Sequence, residues 1–501
     1  MKFAPEQQMI IDCESDLVVI KSGAGTGKST VLKGYARARP RVPMLLICYN
    51  ESISAEAKKS FPENVKARTM HAIAFAITGK YLAHKLVGNI FLSDIKKLFE
   101  NKIDWDIASH ILKTLNKYLS SADKEISAKH IPVDRIRKNP NGNLAQSIVR
   151  HANELWAAAI DPVNTFPATH DIYLKQFCLS DFRFDQWFQT ILFDEVQDSN
   201  PVVSDFVCRQ KTKLVAVGDD HQQLYRWRGA ENAMNDLIGR GGASVFYLDQ
   251  SYRFGPKVAA VATAILDHTS AKTGCPPFPI KGNATISDHV YRTLPHEYFK
   301  KCHTKLHRTV SGTIKTALEN INKRIYWVGG IEKYNLEEIV DVYYLSRKMH
   351  KEVTRKKLLF DYRNYQEYCA AAKASGDLEM ARIIKMIDEH GGSLPRKIEL
   401  LHKNATPYEK SAQLVVSTAH RSKGLEWPTV VLADDFPDIF SPRLKLDVDS
   451  INDELNLLYV ASTRASHRLQ VNDVVKQIVE LYAPDIAKLI SGAYKENRAY
   501  M

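Results

Sequence analysis

The stretch "LVVIKSGAGTGKSTVLKGYARA", Leu17–Ala38, governs the reading of the whole chain. Leu17 to Ile20 form a short apolar run suited to a buried strand, and from Lys28 onward the residues favour a helix. The glycines therefore fall on a strand-to-helix turn. There they let backbone N–H groups close on phosphate oxygens, and the helix N-terminus adds partial positive charge. In this reading Ser22, Gly23, Ala24, Gly25, Thr26 and Gly27 form the cradle. Lys28 would reach the β- and γ-phosphates of ATP, the Ser29 hydroxyl would ligate Mg2+, and Thr30 follows in the first helical turn. Ser22 stands where the pattern G-x-x-x-x-G-K-[ST] begins with glycine.

One loop is not enough, and two further strand ends join it. "TILFDEVQDSNP", Thr190–Pro201, ends an apolar strand in Asp194-Glu195. Asp194 would enter the magnesium shell and Glu195 would orient or deprotonate the attacking water. Leu214–Val217 read as a third strand, followed by "GDDHQQLYRWRGA", whose Gln222 could touch a γ-phosphate. Acidic pairs after apolar runs are common helix caps, so the inference rests on all three strand ends together. They describe a P-loop NTPase lobe. Two downstream arginines, Arg253 in "LDQSYRFGP" and Arg464 in "NLLYVASTRASHRL", are candidates to stabilise charge on the transferring phosphoryl group.

With 501 residues the chain exceeds one core and calls for about two to four domains. A net charge of +12 favours a polyanionic partner, most simply nucleic acid, although a generally basic surface reads the same way. The seven cysteines form no C-x-x-C pair, so neither a disulfide framework nor a zinc ribbon is expected. Cys302, His303 and His307 offer ligands of the right type but lack a fourth. No apolar run approaches the ~18 residues of a membrane span, and no signal peptide is apparent. A cytoplasmic or nucleoid-associated location is expected.

The motifs occur in the order of the superfamily 1A (UvrD/Rep-like) DNA helicases, and the chain resembles that family almost end to end, most of all the helicase region of the F-box group. "FAPEQQ" resembles the adenine-reading Q motif, with Gln7 the reader; "CYNESISAEA" and "ARTMHAIAF" resemble motifs Ia and Ib. "GDDHQQLYRWRGA", "DQSYRF", "STAHRSKGLEWPTVVL" and "ELNLLYVASTRA" resemble motifs III, IV, V and VI. The resemblance implies an ATP- and Mg2+-dependent 3′-to-5′ DNA helicase or translocase. Tyr252, Arg253, Glu426 and Arg464 would complete the ATP site. Tyr49, Asn50, Thr69, His71, Tyr225, Trp227, Arg228 and His420 would contact DNA. Polarity rests on the K-G-L-E form of motif V. Partners implied are single-stranded DNA and single-/double-strand junctions, with the protein monomeric. The chain starts at the Q motif, so no F-box and no ubiquitin-ligase partner are expected. Thr30, Glu51 and Val310 depart from common family residues.

The expected fold is α/β, with two RecA-like lobes carrying mainly helical insertions. Residues 1–77 and 165–238 would form lobe 1A around insertion 1B (78–164). Residues 239–330 and 409–501 would form lobe 2A around insertion 2B (331–408). "GRGGAS", Gly239–Ser244, is the expected hinge. "LSDIKKLFENKIDWDIASHILKTLNKYL", Leu92–Leu119, has a long amphipathic helical pattern. The basic stretches from Arg135 and Ser346 could follow duplex phosphates or simply be solvated. A nucleic-acid-binding switch and a P-loop kinase or transport ATPase remain as competing readings.

Overall fold

The computed structural model describes residues 3–133, 136, 142–224, 226, 233–375, 377–444 and 446–490. The chain divides into two compact units. The first comprises Met1–Ser22, Lys28–Tyr247 and Tyr368–Asp377; the second comprises Gly23–Gly27, Leu248–Glu367 and Leu378–Met501. Each holds a six-stranded sheet, the layout of two RecA-like α/β lobes.

In the first unit the strands are β1 (Leu17–Ser22), β2 (Met44–Cys48), β3 (Val65–Thr69), β4 (Thr190–Asp194), β5 (Lys213–Gly218) and β6 (Ala243–Leu248), ordered β3-β2-β4-β5-β1-β6. Residues in β2 and β4 are buried throughout, as parallel strands covered on both faces must be. The order β4-β5-β1 matters most. It sets three strand ends side by side although they lie near residues 22, 194 and 218.

Helices Leu92–Leu98, Trp105–Ser120 and Asn143–Ile160 lie between β3 and β4. Their Ile95, Ile111, Leu115, Ile148 and Leu155 share one core with Val19, Ile47, Ile191 and Ala216 of the sheet. The stretch Leu92–Leu119 is thus two helices rather than one. Glu100 and Asn101 take positive φ (52° and 59°), and Asp104 caps the second helix by accepting Ile107 N–H. The stretch expected as a hinge, Gly239–Ser244, runs into a strand of the first sheet. Gly241 and Gly242 do take positive φ (80° and 75°), but they lead into β6, at the edge of the first sheet. The first unit therefore continues through Tyr247, not 238.

Two buried ammonium groups tie this insertion down. Lys85 Nζ donates to the carbonyls of Ala158, Asp161 and Asn164, closing the C-terminal end of helix Asn143–Ile160. Lys175 Nζ donates to Ser121 O and Asp123 O and lies 4.1 Å from the Tyr118 ring centre. Lys175→Met should leave both carbonyls unsatisfied and lower stability by about 1–3 kcal/mol, read by denaturant unfolding. Burial pushes the Lys175 ammonium down from 10.5 to about 8. Between those values the unfolded chain binds the extra proton, so this group's contribution to stability grows as pH rises through the window. The stability gap to Lys175→Met should widen correspondingly.

In the second unit the strands are β7 (His289–Tyr291), β8 (His303–His307), β9 (Ile325–Trp327), β10 (Leu414–Thr418), β11 (Trp427–Leu432) and β12 (Ala465–Gln470). They form an all-parallel sheet ordered β7-β12-β11-β8-β10-β9. Helices Leu336–Ser346, Lys356–Asp361, Leu378–His390 and Leu394–Asn404 fall between β9 and β10. Of the basic stretch from Ser346, Arg355 is held internally by Asp341 and Glu338. Most of the stretch from Arg135 lies outside the described residues. Among the described residues no group of three or more His, Cys, Asp or Glu could hold a metal, and no helix is long and apolar enough to cross a membrane.

Candidate nucleotide and DNA site

In the first unit, β1 leads through the glycine turn into helix Lys28–Ala38. Lys28 Nζ stands 3.5 Å from Glu195 Oε1. Ser29 is exposed at the helix start and Thr30 half-buried. Ser22, the unusual first residue of the loop, donates its hydroxyl to Gly218 O at 2.8 Å. That bond ties the ends of β1 and β5 together, a use for a side chain that glycine would not supply.

β4 ends in Asp194, which is buried and accepts Glu195 N–H on Oδ1 at 2.9 Å. Glu195 itself is left-handed (φ 54°, ψ 43°). A non-glycine residue held there costs about 1–3 kcal/mol and persists only where its surroundings over-determine it. The turn Val196–Asp198 follows at once, and its Gln197 donates to Glu195 Oε2. Asp219, at the end of β5, accepts Gln222 Nε2 on Oδ2 at 2.6 Å. Burial holds the Asp219 carboxyl above its ordinary value, with the Lys28 charge pulling the other way. Lys28, Glu195, Gln197, Asp219 and Gln222 thus form one polar network across three neighbouring strand ends.

Gln7 is buried in helix Pro5–Ile11, and its Oε1 accepts Ala4 N–H at 3.2 Å. Two of the expected DNA contacts also serve as helix caps. Asn50 Oδ1 accepts Ile53 N–H, and Thr69 Oγ1 accepts Ala72 N–H while donating to Glu51 at 3.0 Å. The departure at Glu51 therefore has a local use. His71 Nε2 meets Asp171 at 3.1 Å, and Tyr49 is half-buried. Tyr225, Trp227 and Arg228 lie outside the described residues.

The tip of the glycine turn, Gly23–Gly27, groups with the second unit. Gly23 N–H donates to Leu248 O, Ala24 N–H to the Tyr459 hydroxyl, and Tyr252 N–H to Gly25 O, all at 2.8–2.9 Å. Gly25 has φ +73°, and a Cβ on it would stand 2.6 Å from Ser251 Oγ and 2.7 Å from Arg253 Cβ. Glycine is required there on both counts. Thr26 closes the turn on Gly23 O at 3.0 Å, and Gly27 takes φ 85°.

Arg253 donates through Nε to Glu426 Oε2 at 2.6 Å and through Nη1 to Thr463 O at 3.3 Å. Arg464 is 1% exposed. Its guanidinium donates to Val460 O, Leu425 O and Thr463 Oγ1 at 2.9–3.2 Å. The sequence points to a role for it at the transferring phosphoryl group and carries no sign of this anchoring. Tyr252 is exposed, and His420 is half-buried in the turn after β10. Gln197, Asp219 and Tyr459 were also missed, since a single amide, carboxylate or hydroxyl inside a motif carries no spacing signal of its own.

A phosphate-type loop after the first strand, an acidic pair after a neighbouring strand and two parallel α/β lobes define a P-loop NTPase of the two-lobed RecA-like class. The family model described as "UvrD-like helicase C-terminal domain" matches residues 60–474, and the chain belongs to that family. It is similar to F-box DNA helicase 1 of Gallus gallus (27% identical, over 96% of this chain and 50% of the relative). It is also similar to F-box DNA helicase protein 1 of Schizosaccharomyces pombe (28%, 95% and 58%) and to DNA helicase II of Escherichia coli (24%, 54% and 41%). The chain thus spans 50–58% of the length of the two F-box relatives.

Proposed function

We propose that this chain is an ATP-dependent DNA helicase or translocase that moves 3′-to-5′ on single-stranded DNA and opens junctions, in repair, recombination or replication. The observation that carries the reading is the Lys28–Glu195–Gln197–Asp219–Gln222 network at the joined ends of β1, β4 and β5. In the proposed reaction Lys28 neutralises the β- and γ-phosphates, Glu195 orients the attacking water and accepts its proton, and Gln222 touches the γ-phosphate. Arg253 and Arg464 stabilise charge spreading over the transferring group, Glu426 contacts the ribose and Gln7 reads adenine. Ser29 and Asp194 are hard oxygen donors, and a magnesium ion suits one or two such protein ligands completed by water and phosphate. The ion would supply charge neutralisation at the β- and γ-oxygens. The residue types fit it.

Strand displacement on duplexes with 3′ or 5′ tails, run beside ATPase assays with and without single-stranded DNA, tests the proposal. Unwinding only from a 3′ tail is the expected result. DNA-stimulated hydrolysis without unwinding would leave a translocase, and hydrolysis indifferent to DNA would remove the motor reading. Trp227→Ala should weaken single-strand binding roughly ten- to a hundredfold, as loss of a base stack worth about 1–3 kcal/mol implies. Basal ATPase should change much less. A DNA titration beside thermal melting checks this, since loss of both activities together with melting temperature would make Trp227 a packing residue.

A further inference from the structure

Gln197 is fully buried, and both ends of its amide are engaged. Oε1 accepts the backbone N–H of Asp219 at 3.0 Å, and Nε2 donates to Glu195 Oε2. Chemistry fixes which end is which: a backbone N–H can only donate, and an ionised carboxylate can only accept. The Gln197 carbonyl also accepts Gln223 Nε2 at 3.1 Å, so its backbone is held as well as its side chain. Gly218 leaves the space this needs, since a Cβ there would stand 2.4 Å from Gln197 Oε1. One side chain therefore links the carboxylate after β4 to the backbone after β5. An amide neither titrates nor attacks, which leaves orientation as its contribution. Each Glu195 carboxylate oxygen faces a fixed neighbour: Oε2 accepts from Gln197 Nε2, and Oε1 stands 3.5 Å from Lys28 Nζ.

We propose that Gln197 is a positioning residue for hydrolysis: its amide, anchored on the Asp219 backbone, holds the Glu195 carboxylate in the orientation that receives the attacking water. The proposal rests on the ATP-hydrolysis reading above. Its consequence is kinetic. A misplaced general base loses rate in the chemical step while nucleotide contacts made elsewhere persist.

The test uses the full chain with Gln197→Glu and Gln197→Met. The first keeps an acceptor for Asp219 N–H but sets a like charge against Glu195; the second keeps length and removes both hydrogen bonds. Gly218→Ala, which pushes Gln197 aside without altering it, is the third probe. Single-stranded-DNA-stimulated kcat and KM for ATP are measured with melting temperature, alone and in a Glu195→Gln background. Expected is a fall in kcat of about 10²-fold with KM changed by less than about threefold. In the Glu195→Gln background the second substitution should add nothing further, because the group it positions is already gone. Unchanged kcat in the folded variants would overturn the proposal. So would a loss that persists in full in the Glu195→Gln background, or one that follows falling melting temperature with KM rising in proportion. If one variant does not fold, the other two decide. A wild-type chain that hydrolyses no ATP would instead remove the activity on which the proposal depends.

Discussion

Lys28→Ala should abolish ATP turnover, with DNA-stimulated hydrolysis lower by at least about 10²-fold, the usual cost of deleting one group that stabilises transition-state charge. The lysine begins helix Lys28–Ala38 directly after the glycine turn, where its charge can meet phosphate without crossing the core. In this structure it faces Glu195 at 3.5 Å and lowers the proton affinity of the buried Asp219. Alanine would remove the cation and leave two carboxyl groups facing less positive charge. Stability should fall only modestly, because Lys28 is half-buried at the first position of its helix. ATPase rate and thermal melting together check the expectation. Near-normal turnover in a folded Lys28→Ala protein would remove the phosphate-loop assignment.

Arg464→Ala should lower DNA-stimulated turnover by about 10³-fold, the lower range for an arginine that acts on the transferring phosphoryl group. ATP affinity should change much less, because that charge is stabilised most in the transition state. The structure adds a second expected effect. Arg464 is buried and donates to two backbone carbonyls, so alanine should also cost about 1–3 kcal/mol of stability. Lysine should rescue poorly: a single ammonium cannot span Val460 O, Leu425 O and Thr463 Oγ1 as the planar fork does. Titrating a fluorescent nucleotide, measuring turnover and melting the protein separate the two effects. Normal turnover in a destabilised Arg464→Ala protein would make the arginine a scaffold for the turn before β12 and nothing more.

Much of the site could be read locally. The strand, turn and helix around Lys28 follow from apolar β-prone residues, from glycines that tolerate positive φ and from helix formers behind them. All of those preferences act over a few residues. Asp194 and Glu195 were recognisable for the same reason, as the polar end of a buried strand. The Gly239–Ser244 turn shows the limit. Its glycines do mark a turn, but whether a following strand joins one sheet or another depends on pairing partners far away in the chain, and β6 joined the first. Likewise Leu92–Leu119 kept helical periodicity across a break that Asp104 caps and Glu100 and Asn101 turn.

Local chemistry alone therefore establishes that a phosphate loop exists, where it starts and which lysine it carries. Its motifs, taken in order, point to the family. The strand order β4-β5-β1 lies beyond such reasoning, because non-local pairing is set by how whole layers bury their faces. That order brings Gln197 from β4's turn against Asp219 after β5, and so makes a buried amide into a link between motifs. The burial of Arg464 has the same origin in part: Val460 is a local partner four residues upstream, but Leu425 comes near only once the turn before β11 packs beside that helix end. A guanidinium's reach is legible in a sequence; which carbonyls it meets depends on the packed layers.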